Sequence, residues 1–188
     1  MRIWIFGALF LAGGLVAGQS RADDVAEQAA TCQACHGEDG HPTAPEIPVI
    51  FGQQEGYLYI ELRDYKSGVR KSEVMGPVAN GLSRDQMKSL AAYFAGKTWP
   101  RLQQTATPEQ SAIATRANGS AGCTACHMEG YLGASTAPRL AGQQQAYLGQ
   151  TLHNFKTKER ANNPGMSSIV ETYPDEDLQA IAAYLGTL

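Results

Sequence analysis

Apolar positions recur along this chain with the period of helices. Leu58, Leu62 and Tyr65 stand at i, i+4 and i+7, and Leu148, Leu152 and Phe155 repeat that spacing. Met87, Leu90, Ala91 and Phe94 form a second stripe, repeated by Leu178, Ile181, Ala182 and Leu185. Each set falls on one helix face. No run alternates apolar and polar residues as a half-buried strand requires, so the pattern predicts an all-α fold. Capping signals place two of the helix starts. Ser83 with Gln86 reads as a capping box. Thr107-Pro108-Glu109-Gln110 reads as another, with proline at the first helical position. Pro174 stands where Ser83 would fall in the second copy, so the last helix is expected to begin differently.

The stripes come in pairs because the sequence is a duplication. Shifted by 90 or 91 positions, "GQQEGYLYIELRDYKSGVR" from Gly52 lies over "GQQQAYLGQTLHNFKTKER" from Gly142, and "LAAYFAG" from Leu90 lies over "IAAYLGT" from Ile181. The break falls near "AGKTWPRLQQTATPEQ". This predicts two tandem domains, 23–104 and 105–188. A domain of roughly 80 residues buries a modest core, and a bound apolar group would complete it.

The first residues change the compartment. Arg2 is followed by an uncharged apolar run of 16 residues, Ile3 to Gly18, and then by "QSRADD" with small residues at Ser20 and Ala22. This reads as a secretory signal peptide, residues 1–22, removed after Ala22. The competing description is a membrane anchor, but the run is shorter than the roughly 20 residues of a spanning helix. Arg2 and Arg21 leave with the leader, so 15 basic residues become 13 against 18 acidic ones, a net charge of −5. There is no basic stripe, which speaks against a nucleic-acid partner.

All four cysteines lie in two copies of one pentapeptide, Cys32-Gln33-Ala34-Cys35-His36 and Cys123-Thr124-Ala125-Cys126-His127. Exported cysteines usually form disulfides, but a bridge needs no following histidine. A zinc site of four thiolates is the second competitor, yet its knuckles usually sit about 15 to 20 residues apart. Here Cys35 and Cys123 are 88 positions apart. C-x-x-C-H is the attachment signal of c-type haem. Cys32 and Cys35 would hold one haem and Cys123 and Cys126 a second, with His36 and His127 as proximal iron ligands.

A second axial ligand is sought as a residue repeated in register. Met75 lies 39 residues after His36, and Met166 lies 39 residues after His127. A one-residue deletion before Gly142 is compensated by an insertion before Met166. Both methionines are expected in Gly- and Pro-containing loops, "VMGPVANG" and "NNPGMSS", as ligands of His/Met pairs. Met87 aligns with Leu178 and reads as core packing. Met128 follows His127 directly and cannot reach across the same iron. His153 matches Arg63 and reads as a surface residue, while His41 is a rival to Met75. Pro48 and Pro138 also align, either as carbonyl acceptors for the proximal histidines or as plain turn prolines. Arg70 and Arg160 coincide, either as partners of haem propionates or as solvated charges.

Taken together, the chain resembles the cytochrome c4 family. The resemblance rests on "CQACHG", "PVIFGQQEGYL", "YKSG", "MGPVANGLS" and "LAAYFAG" in the first half, and on "CTACH", "PRLAGQQQAYL" and "AAYL" in the second. "NNPGMSSIVETYPDED" departs from the family by lacking the usual Leu-Ser before the last helix. The resemblance implies two class I cytochrome c domains packed about a pseudo-twofold axis with their haem edges close. It implies two covalent haems bound by Cys32, Cys35, Cys123 and Cys126, with His36, Met75, His127 and Met166 on the irons. It implies a periplasmic electron carrier serving a terminal oxidase, another cytochrome or a flavoprotein, with peripheral membrane association. The haem subunit of flavocytochrome c sulfide dehydrogenases is similar in size and motifs and is the alternative. Self-contained catalysis is disfavoured: di-haem peroxidases are much longer, and di-haem thiosulfate dehydrogenases use an axial cysteine, whereas this chain has no fifth cysteine.

Overall fold

The computed structural model describes residues 19–188; the apolar run read as a leader lies outside them. The described residues are helical, with a single isolated bridge between Ala134 and Ala137. Among them no helix is long and apolar enough to cross a membrane. The first half contains α1 (Gln19–His36), α2 (Glu55–Ser67), α3 (Met75–Asn80) and α4 (Arg84–Ala95). The second contains α5 (Pro108–Ala121), α6 (Cys123–His127), α7 (Gln145–Thr157), α8 (Pro164–Val170) and α9 (Asp175–Gly186). In the first half α4 packs on α1 and α2, and in the second α9 packs on α5 and α7.

The predicted stripes account for this packing. On α4, Met87, Leu90, Ala91 and Phe94 are buried; on α9, Leu178, Ala182 and Leu185 are. The core of the first half gathers Ala29, Phe51, Leu58, Leu90, Ala91 and Phe94, with Cys32 against it. That of the second gathers Tyr131, Ala141, Leu148, Ala182 and Leu185, with Cys123 against it. Both predicted capping boxes form, at Ser83/Gln86 and Thr107/Gln110. The copies differ at one join. α1 runs unbroken through Cys32 to His36, whereas Gly122 adopts a left-handed φ of 65° and separates α5 from α6.

The methionine segments, expected as loops, are short helices instead. The Ser72 hydroxyl accepts from the Met75 amide at 3.0 Å, and the Asn163 side chain accepts from the Met166 amide at 3.2 Å. Pro164 then occupies the first turn of α8. Asn163 is the N-cap of α8, and Ser72, just before α3, likewise takes up an amide that a helix start leaves open.

The halves meet through loops and through residues of α2 and α7. The Tyr147 amide donates to the Pro45 carbonyl at 3.2 Å, and the Gln54 side chain donates to the Leu132 carbonyl at 3.0 Å. The connecting segment lies on the second half. Gln104 donates to the Gln143 and Gly186 carbonyls and accepts from the Gln145 amide. Trp99 lies under the Arg139 guanidinium, 4.6 Å from its ring centre.

Candidate functional site

Helical spacing puts the first and fourth residues of each pentapeptide on one face, with the histidine a turn beyond the first. Cys32, Cys35 and His36 close α1, and Cys123, Cys126 and His127 make up most of α6. All four cysteines are free thiols. Burial pushes the Cys32 and Cys123 thiols up, which keeps them neutral.

Each histidine has one ring nitrogen fixed. His36 Nδ1 lies 2.8 Å from the Pro48 carbonyl, and His127 Nδ1 lies 3.0 Å from the Pro138 carbonyl. A carbonyl only accepts, so Nδ1 carries the proton and Nε2 keeps its lone pair. Burial pushes both imidazoles below the usual histidine range, with the carbonyls partly offsetting it. The prolines are therefore the acceptors the alignment suggested.

One cavity of about 960 Å³ reaches into both halves. Cys32, Cys35, His36 and Met75 line it in the first half, and Cys123, Cys126, His127 and Met166 in the second. The stripe residues Leu58, Leu62 and Tyr65, and Leu148, Leu152 and Phe155, form apolar walls. Paired thiols beside a neutral imidazole, a thioether in the same cavity and an apolar lining fit c-type haem in each half. The rivals do not line the cavity. His41 is half-exposed beside Asp39 at 3.1 Å, and Met87 is buried elsewhere in the core. Met128 is exposed, and His153 faces Asp175 at the surface, 3.4 Å away.

Arg70 and Arg160 are not solvated charges. Glu61, itself buried, accepts from Arg70 at 2.5 Å and from Arg160 at 2.6 Å. Asn162 donates to Glu61 and to Asp64, and Tyr57 and Tyr147 accept from Arg160 and Arg70. Burial pushes the Tyr57 phenol up, so it stays neutral. A buried guanidinium requires a counter-charge, and Glu61 provides one for both copies across the seam between halves. Its counterpart in the second copy is Thr151, so the duplication gave no signal for it. Gln53 and Gln143 were visible as the repeated Gly-Gln-Gln, but their role was not. Each bonds backbone of the opposite half.

The Cytochrome c family model matches residues 22–96 and again 114–188. The chain is 33% identical to cytochrome c4 of Pseudomonas aeruginosa, covering all of this chain and 95% of that one. It is 30% identical to the thiosulfate dehydrogenase electron acceptor of Stutzerimonas stutzeri, over 85% of this chain and 80% of the relative. The crystal structure of reduced recombinant cytochrome c4 from Pseudomonas stutzeri superposes with a TM-score of 0.80 at 29% identity, covering 89% of this chain and 98% of that one. These matches support the carrier over the flavocytochrome subunit. With two such domains, paired thiols and a fixed imidazole in each, the chain belongs to the cytochrome c4 family of di-haem electron-transfer cytochromes.

Proposed function

We propose that the chain is a periplasmic one-electron carrier in which Cys32 and Cys35 attach one haem and Cys123 and Cys126 the other. His36 and Met75 are the axial ligands of the first iron, and His127 and Met166 those of the second. The observation that carries this reading is the pair of histidine–carbonyl bonds at 2.8 and 3.0 Å, each beside two thiols. They orient Nε2 as a ligand and raise its basicity. Each haem, when bound, supplies one reversible one-electron couple. The chain's own residues hold the rings, keep water out with the α2 and α7 walls, and fix the methionine backbones through Ser72 and Asn163.

The domains are 23–104 and 105–188, a division supported by the two family-model matches. Residues 1–22 are the leader that exports the chain, and the first of those matches begins at residue 22. Its partners are redox proteins: a terminal oxidase, another cytochrome or a flavoprotein, with peripheral membrane association. The relative named a thiosulfate dehydrogenase electron acceptor supports a dehydrogenase as donor. Nucleic acid is not a partner.

The test is haem content and ligation after expression with a c-type maturation system. Two haems per chain should survive denaturation, and the weak long-wavelength band of a methionine–ferric bond should fall by about half in Met75→Ala and again by about half in Met166→Ala. One haem per chain, or a band untouched by Met166→Ala, would overturn the assignment.

A further inference from the structure

The carbonyl that orients each proximal histidine does not act alone. The Pro48 carbonyl and the Val49 N–H belong to one planar peptide unit. The carbonyl faces His36 Nδ1 at 2.8 Å, and the N–H donates to Gln143 Oε1 at 2.7 Å. Gln143 belongs to the other half. Its Nε2 also donates to the Val49 carbonyl at 2.9 Å, so the side-chain amide grips Val49 at two points. The second copy repeats the arrangement in reverse. The Pro138 carbonyl faces His127 Nδ1 at 3.0 Å, the Arg139 N–H donates to Gln53 Oε1 at 2.8 Å, and Gln53 Nε2 donates to the Arg139 carbonyl at 2.9 Å. Gln53 and Gln143 are each 3% exposed, so water does not compete for these bonds.

A peptide that donates on its N–H side becomes a better acceptor on its carbonyl side, because bonds in series polarise one another. A better acceptor at Nδ1–H makes the imidazole a more basic ligand, and a more basic ligand favours ferric over ferrous iron. We infer that Gln53 and Gln143 are crossed positioning residues: Gln143 of the second domain sets the proximal ligand of the first haem, and Gln53 of the first domain sets that of the second. The inference rests on the histidine ligation proposed above. It gives the duplication a use that separate domains would lack, since neither histidine is fully oriented until the other domain is docked. It also gives the identical Gly-Gln-Gln repeat a role in both copies: each buried glutamine stands at the wall of the shared cavity and bonds backbone of the opposite half.

The test uses the intact di-haem protein and the variants Gln143→Leu and Gln53→Leu. Haem content and the methionine–iron band are measured first, and they report on the ligation itself. Nδ1–H exchange of each proximal histidine is then followed by NMR, and each haem's midpoint by its own haem-methyl signals. In Gln143→Leu, the His36 proton should exchange about five- to tenfold faster, the loss of roughly one hydrogen bond's net contribution. With the redox state of the other haem held fixed, the first haem's midpoint should rise, while His127 and the second haem's midpoint stay unchanged. Gln53→Leu should give the mirror result. Gln143→Glu keeps the acceptor and the size while losing the donor, so it should give a smaller effect on His36, and it carries the test if the leucine variant does not fold. Changes confined to the mutated residue's own domain, equal changes in both domains, or none in either would overturn the inference while leaving the ligation standing.

Discussion

Met128 follows His127 with φ 63° and ψ 168°, a region that costs a residue with a side chain about 1–3 kcal/mol. Gly37, the residue after His36, also has a positive φ, 87°, and pays no such cost. The Met128 side chain is exposed and lines no part of the cavity. Met128→Gly should therefore stabilise the holoprotein by about 1 kcal/mol, read as a higher denaturation midpoint with unchanged spectra. A lower midpoint would show that the methionine makes a compensating contact. At this scale the attachment residues were legible because the pentapeptide is local. The duplication then showed which distant residues keep register, Pro48 with Pro138 and Met75 with Met166. Glu61 was not legible. Its partner Arg160 lies 99 positions away and its own counterpart is a threonine, so neither local pattern nor internal comparison pointed to it.

Helix starts carry the next set of consequences. Ser83 accepts from the Gln86 amide at 3.2 Å while Gln86 reaches back to the Ser83 amide at 2.8 Å. Ser83→Ala should lower stability by about 1 kcal/mol without altering the haem spectrum, checked by denaturant titration. An unchanged midpoint would mean that the cap is replaced by water at no cost. α9 has no such cap. Pro174 precedes it, and Asp175, Glu176 and Asp177 fill its first turn, where negative charge complements the positive end of the helix dipole. The four long apolar stripes were readable because each spans at least two turns. α3 and α8 were not, since six or seven residues containing glycine and proline show no period, and the side chains that accept their first amides, Ser72 and Asn163, differ in type between the copies.

The whole molecule is held as one unit by polar bonds across the seam. Glu61 is shared there by the two repeated arginines, and removing one partner of a buried ion pair costs about 3–5 kcal/mol. Glu61→Gln should destabilise the holoprotein by roughly 3 kcal/mol, measured by urea denaturation followed at the haem bands. A loss below about 1 kcal/mol would mean that the arginines have another counter-charge in the loaded protein. One cavity reaches into both halves and crossed glutamines tie them, so the two haem sites should be coupled, and a redox titration of the intact holoprotein that follows each haem separately measures that coupling. Two electrons per chain are expected, with each haem's titration curve displaced by the redox state of the other. Uptake of one electron per chain, or two curves that each fit an independent one-electron step, would contradict it.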